Sequence, residues 1–311
     1  MSAARDSSVP VSVIVLTSNE EPNLRACLET VAGWAAAIFV VDSGSTDATL
    51  MIARQFDATI VSHTFDTHAR QWSWALETLP IQTDWVLAID ADQRLTPELA
   101  GAIRAALAAP AANGYFLCRR QVFRGRWIRH GGYYPKYLLK LFRRDAVTID
   151  HVDLVDHHFH VKGATAKLAG DLIEDNRKEA RIVDWTAKHN RYAVLQARQE
   201  CAAEGGPPIS LRAVMGSPDD RVRWLKHVWS GLPLYVRPVL YVFYRYFLRF
   251  GWLDGKEGFI FHVLQGFWYR LLVDINLDEL RAAARQPQPA AGVARGGLST
   301  GVVAENHARK A

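Results

Sequence analysis

Val40-Val41-Asp42-Ser43-Gly44-Ser45-Thr46-Asp47 decides the fold. A β-branched apolar run stops at an acidic residue, then small and polar residues lead into helical spacing, which reads as strand, turn and helix. The pattern repeats on both sides. Upstream, residues 11–17 predict a strand and residues 20–32 a helix with Leu24, Cys27, Leu28 and Val31 on one face. Around the quoted stretch, residues 38–41 are the strand and residues 46–56 the helix, with Ser45 as its expected cap. Downstream, residues 59–62 and 85–89 predict strands and residues 69–79 and 97–107 helices. Thr96 stands at the last helix's N-cap and Pro97 at its first position, where a missing N–H costs nothing. Strands alternating with helices predict an α/β, Rossmann-like, mostly parallel sheet flanked by helices. Such sheets bind ligands at the carboxyl ends of their strands.

Composition narrows the functions. No G-x-G-x-x-G follows the first strand and no P-loop occurs, which argues against dinucleotide enzymes and NTPases. The three cysteines, Cys27, Cys118 and Cys201, have no motif spacing and suggest a reducing compartment. The first residues do not read as a secretory signal. Between Arg221 and Ile275 lie eight Lys/Arg, three acidic residues and fifteen aromatic ones. Basic and apolar together, this points to a membrane surface rather than to nucleic acid. No run reaches the roughly 18 apolar residues expected of a spanning helix.

The candidate chemistry lies after the strands. Asp42 ends one strand and is placed to accept hydrogen bonds from a base or ribose, with Gly44 allowing close approach of backbone. Leu87-Ala88-Ile89-Asp90-Ala91-Asp92 ends another, with two carboxylates two positions apart that face one way if the strand stays extended. Paired hard oxygens suit Mg²⁺ or Mn²⁺ shared with a diphosphate. Either segment is also readable as an ordinary capped turn.

Taken in order and at their spacing, residues 12–21, 38–49 and 84–92 resemble the family 2 glycosyltransferases of the GT-A fold, over roughly residues 9–200. Within that family the chain is similar to the lipopolysaccharide-core and exopolysaccharide branch. The resemblance implies an inverting enzyme taking its sugar from a UDP-, GDP- or dTDP-sugar. It implies that Thr17, Asn19 and Glu20 line the nucleotide pocket, that Asp42 contacts the base with Ser43 beside it, and that Asp90 and Ala91 lie near the ribose. Asp92 would be the direct ligand of the Mg²⁺ or Mn²⁺ ion, seconded by Asp90. Gln93 departs from the acidic residue that many relatives have there.

An inverting transfer needs a base opposite the leaving group. Asp156 is the first candidate, then Asp153 and His157; Glu174-Asp175 is a further acidic pair. Five arginines fall within residues 119–129, and Arg124, Arg126 and Arg129 are candidates for holding the diphosphate or a phosphorylated acceptor. Trp127 and Tyr133 suit either a sugar ring or core packing.

The expected organisation is a transferase domain over residues 9–204, amphipathic helices over 209–281, and a Gln/Pro/Ala/Gly tail over 285–311 read as disordered. The helices are expected to lie on the inner membrane at its cytoplasmic face, beside a lipid-linked saccharide acceptor. Transfer to polyprenyl phosphate, and a non-catalytic scaffold of the same fold, are the alternatives.

Overall fold

The computed structural model describes residues 8–150, 158–203, 224 and 228–285. Its first part runs β1 (Val9–Thr17), α1 (Glu21–Leu28), β2 (Ala35–Asp42), α2 (Thr49–Arg54), β3 (Thr59–Ser62), α3 (His68–Thr78) and β4 (Trp85–Asp90). β5 (Gln93–Leu95) and α4 (Pro97–Ala108) follow, and then β6 (Gly114–Phe123), β7 (Arg126–Trp127) and β8 (Lys136–Arg143). β9 (Val147–Ile149), β10 (Phe159–Val161) and β11 (Thr165–Glu174) lead into the long helix α5 (Ile182–Ala202).

The main sheet has the order β3-β2-β1-β4-β8-β6-β11-β5, with β7 paired to β6. β1 pairs in parallel with β2 and β4, β2 with β3, and β6 with β11. β8 lies antiparallel between β4 and β6, and β5 antiparallel to β11. The pairing is therefore mixed rather than mostly parallel. β8 follows β6 through a short excursion, and such a connection returns the chain antiparallel. Because β8 reverses twice, β6 and β11 point the same way as β1, β2 and β4. With β3, parallel to β2, six strands thus end on one edge.

Side chains of β1 alternate between two cores. Val13 and Val15 join Leu24, Leu99 and Ile103 under α1 and α4, while Ile14 joins Trp72 and Phe142 on the α3 side. α4 starts as its sequence predicts, with Thr96 accepting from the Leu99 amide and Pro97 at the first turn. α2 does not. It starts at Thr49, and the Thr49 amide donates to Asp47 Oδ1 at 3.0 Å, so Asp47 rather than Ser45 serves its N-terminus. Ser45 is held by Asp42 instead.

Behind this sheet lie α6 (Val236–Phe243), continued by a π-helical turn at Tyr244–Leu248, then α7 (Gly255–Phe261), a second π-helical turn (His262–Trp268) and α8 (Tyr269–Arg285). A 3₁₀ turn, Gly251–Asp254, lies between the first π-helical turn and α7. α8 packs on α5 through Ala193, Ala197, Val273 and Leu277. Arg237, 1% exposed, donates to Asp274 Oδ1 at 2.6 Å and to Glu200 Oε2 at 2.9 Å, tying α6 to α8 and α5. The tail from residue 286 and the segment 204–223 lie outside the described residues.

Candidate active site

The loops after β1 and β2 build one another. Asp42 is buried, and its Oδ2 accepts from the amides of Gly44 at 3.0 Å and Ser45 at 2.8 Å. Its Oδ1 accepts from the Thr17 hydroxyl at 3.0 Å. The turn needs Gly44 at φ +84°, a conformation glycine adopts without strain. Asn19 also has positive φ, and its Oδ1 accepts from the Thr46 amide at 2.8 Å while its own amide donates to Ser45 Oγ at 2.8 Å. Glu20 receives Asn23 Nδ2 and Lys178 Nζ, each at 2.8 Å, and Ser43 Oγ receives Gln71 Nε2 at 3.1 Å. Thr17, Asn19, Glu20, Asp42 and Ser43 thus share one rigid corner of the carboxyl edge.

β4 stops at Asp90, and Ala91-Asp92 form a turn before β5, so the extended geometry that would align the two carboxylates is not kept. Their surroundings differ. Asp90 Oδ2 receives Lys140 Nζ at 2.9 Å, from a lysine buried on β8. Asp92 is half-buried, and its carboxyl is held well above the usual range by burial first, then by Glu174 and Asp90, with Lys188 opposing. A carboxyl pushed up this way is short of positive charge. A divalent cation supplies it, so Asp92 with Asp90 fits Mg²⁺ or Mn²⁺, whose remaining ligands are normally water and phosphate oxygens. Among the described residues no three His, Cys, Asp or Glu side chains converge on a common point.

Sequence reading missed the supports of this pair. Gln93, 1% exposed, accepts from the Asp90 amide at 3.1 Å and donates to Glu174 Oε2 at 2.9 Å. The departure from an acidic residue therefore has a structural role. Arg119 holds the other Glu174 oxygen at 3.2 Å, Arg94 holds Asp175 at 2.8 Å, and the Asp175 amide donates to the Asp92 carbonyl at 3.0 Å. Glu174-Asp175 is a brace beside Asp92, with its carboxylates engaged by arginines.

The arginine loop divides in two. Arg124 and Gly125, both at positive φ, make the two-residue turn between β6 and β7, the geometry of a type I′ hairpin. Arg124 lines a cleft of about 380 Å³ there. Arg126 is exposed, and Arg120 and Arg129 lie against the Trp127 ring at 4.4 and 5.3 Å. With Tyr134 edge-on at 4.8 Å, Trp127 is packed against protein rather than presented to a sugar. His130–Tyr133 is an anchor for the C-terminal helices. The His130 amide and Nδ1 meet the two oxygens of buried Asp254 at 2.9 and 2.7 Å, and the Gly131 amide donates to the Arg249 carbonyl at 2.8 Å. The Gly131 carbonyl accepts from Arg245 at 2.6 Å, and Tyr133 packs on Phe261. A side chain at Gly131 would run into His262. His262 is fully buried, and burial holds its imidazole down at about 4; Asp254 opposes this and Arg245 adds to it.

Asp153, Asp156 and His157 lie outside the described residues. The segment begins and ends on the β9–β10 hairpin, where the Asp150 amide donates to the His158 carbonyl at 3.2 Å.

The interlocked loops after β1 and β2 and the carboxylate pair after β4 thus lie together at the carboxyl edge of a mixed sheet. Residues 12–162 match the model of Glycosyl transferase family 2, and the chain belongs to this family: it is a glycosyltransferase. Over 291 residues it is 26% identical to the lipopolysaccharide core biosynthesis glycosyltransferase LpsC of Rhizobium meliloti, covering 90% of this chain and 96% of that protein. It is 34% identical to an uncharacterized glycosyltransferase of Rickettsia bellii over 105 residues, 34% of this chain and 35% of that protein. Among solved structures, glucosyl-3-phosphoglycerate synthase from Mycobacterium tuberculosis, in complex with Mn²⁺, UDP and glucosyl-3-phosphoglycerate, overlays at 17% identity and a TM-score of 0.39, covering 63% of this chain and 81% of that one. That overlay is loose, and the family assignment rests on the sequence match.

Proposed function

We propose that this glycosyltransferase moves a sugar, with inversion, from a nucleoside-diphosphate sugar to a saccharide carried on a lipid, at the cytoplasmic face of the inner membrane. The observation that carries the donor half is the Asp92 carboxyl, under-compensated next to Asp90 and Glu174 and beside the corner built by Thr17, Asn19, Glu20, Asp42 and Ser43. Asp92, with Asp90, would hold Mg²⁺ or Mn²⁺, which neutralises charge developing on a leaving diphosphate. Lys140 fixes Asp90, while Gln93 and Arg119 hold Glu174 in place. Asp156 is the base that takes the proton of the acceptor hydroxyl, with Asp153 and His157 its alternatives.

The acceptor half is supported by the C-terminal layer. Val239, Phe243, Phe247, Phe250, Trp252 and Phe259 are each about half exposed, with Arg249 and Lys256 among them. Soluble surfaces rarely gather apolar side chains so densely, and aromatic rings with cations favour the lipid headgroup zone. No helix of the described residues is long and apolar enough to cross a membrane, so the layer would lie along the surface. The kinship with a lipopolysaccharide core enzyme suggests a lipid-anchored core saccharide as acceptor.

Purified protein titrated with UDP, GDP and dTDP in the presence of Mn²⁺ tests the donor half. One of the three should bind only with metal, and none binding would overturn the reading. Flotation with anionic vesicles tests the acceptor half, where Phe243→Ser with Phe247→Ser should leave the protein at the bottom of the gradient.

A further inference from the structure

We infer that the 380 Å³ cleft beside the metal pair is the acceptor's saccharide subsite, one that takes a sugar residue of the lipid-linked acceptor as its terminal hydroxyl approaches the donor. This rests on the function proposed above and assigns a place to its second substrate. The argument begins with topology. The cleft opens at the ends of β6 and β11, which point the same way as β1, β2 and β4, so it shares the carboxyl edge with the nucleotide corner. In open α/β sheets that edge is where ligands bind.

The inner wall of the cleft is the chain at Asp175–Arg177, and the Asp175 amide donates to the Asp92 carbonyl at 3.0 Å. That wall is therefore one backbone hydrogen bond away from the Asp90–Asp92 turn. Its outer wall is α7, which turns Glu257 and Phe261 into the cleft while Phe259, on the same helix, is 51% exposed on the apolar face. A lipid-anchored saccharide has that polarity, reactive sugar at one end and lipid at the other.

The lining suits a sugar rather than a base or a peptide. Arg124, Arg177 and the Asn176 amide offer donors, and Glu257 offers an acceptor. The nearby acids are already compensated, Asp175 by Arg94 and Glu179 by Lys188, so no strong net charge selects a highly ionic ligand. Trp185 and Phe261, both 4% exposed, form an apolar floor whose rings cannot rotate out to sandwich a base. Mixed polar walls over an apolar floor, in a volume at the low end of the roughly 300–1,000 Å³ of ligand pockets, match one or two pyranose rings.

Ala180 lines the cleft, is exposed and belongs to no core, so Ala180→Trp plugs the space without disturbing packing. The probe is the oligosaccharide released by deacylating a rough-type lipopolysaccharide, titrated calorimetrically into the full chain. Binding to the wild type, weakened at least tenfold by Ala180→Trp and about fivefold by Arg124→Ala or Glu257→Gln, with melting temperatures within 2–3 °C, is the expected result; each such loss corresponds to about 1 kcal/mol or more. Affinity unchanged in all three variants, or no binding to a wild type that does bind a nucleoside diphosphate with Mn²⁺, overturns the assignment. A wild type that binds the oligosaccharide in the cleft but no nucleotide would instead overturn the donor reading and leave the subsite standing. Where transfer is measurable, the variants should raise the acceptor KM with kcat reduced less than twofold.

Discussion

Asp42 gives its two oxygens to the Thr17 hydroxyl and to amides two and three residues ahead, whereas Arg237 reaches 37 residues to Asp274, and His130 reaches 124 residues to Asp254. The first arrangement is a site made of neighbouring loops that satisfy one another. The second is a helical layer fixed to the sheet by a few buried polar contacts, with an apolar face left outward. The corner at the ends of β1 and β2 is held by hydrogen bonds within and between its adjacent loops, Thr17 with Asp42 and Asn19 with Ser45 and Thr46. The C-terminal layer is joined by long-range contacts, so it is the part that single substitutions should loosen. The carboxyl-edge site and the C-terminal layer should therefore respond separately to mutation.

The largest effect should fall on the chemical side. Asp92→Ala should lower metal-dependent transfer, read as nucleotide release, by at least about 100-fold, in line with losses at metal sites. Stability should not fall, because the substitution removes a carboxyl that burial, Glu174 and Asp90 all disfavour. A variant retaining a tenth of wild-type turnover would mean that the pair does not hold the ion.

On the C-terminal side, Asp274→Ala leaves the Arg237 guanidinium, 1% exposed, with Glu200 as its remaining carboxylate. The cost should be below the about 3–5 kcal/mol of a buried charge left wholly unpaired. In urea melts the loss should appear in the helical layer, while metal-dependent nucleotide binding survives at denaturant concentrations that have already released α8. A single transition shifted as a whole would show that the two regions unfold together.

Acid should act through the same layer. Folded His262 takes its proton only near 4, while the unfolded imidazole takes it near 6.5. The sign follows: protons bind the unfolded chain first, so this contribution to stability is complete above pH 6.5, declines as pH falls, and is gone below 4. The loss is at most about 3 kcal/mol. His262→Phe, of similar shape, should flatten that slope between pH 7 and 5; an unchanged slope would place the titration elsewhere.

The smallest effect on stability should come from the outward face. Phe247→Ser changes a side chain 54% exposed, so its effect should stay within about 0.5 kcal/mol, while vesicle binding drops severalfold. Equal loss of stability and of vesicle binding would erase the distinction between a packed layer and a lipid-facing one.

Much of the sheet was legible locally. β1, β2 and β4 are buried on both faces and read as unbroken apolar runs, and Thr96-Pro97 marks the start of α4 by capping chemistry alone. The polar stretches after these strands were legible as turns, although their hydrogen bonds also join separate loops, Thr17 with Asp42 and Asn19 with Ser45 and Thr46. Even there, Ser45 misled. It is an ordinary cap by type, but Asp42 held it first and Asp47 took its place.

The sequence by itself determined the alternation of strands and helices, the acidic strand ends and the aromatic, basic character of residues 221–275. Tertiary structure alone decided that β8 runs backwards between β4 and β6, that Lys140 lies against Asp90, that Gln93 bridges Asp90 and Glu174, and that the His130–Tyr133 loop anchors helices. The physical reason is range. Periodicity and capping act over a turn or two of chain, but the partner of a buried charge is whichever group folding brings beside it, and nothing in the local pattern names a partner 50 or 124 residues away.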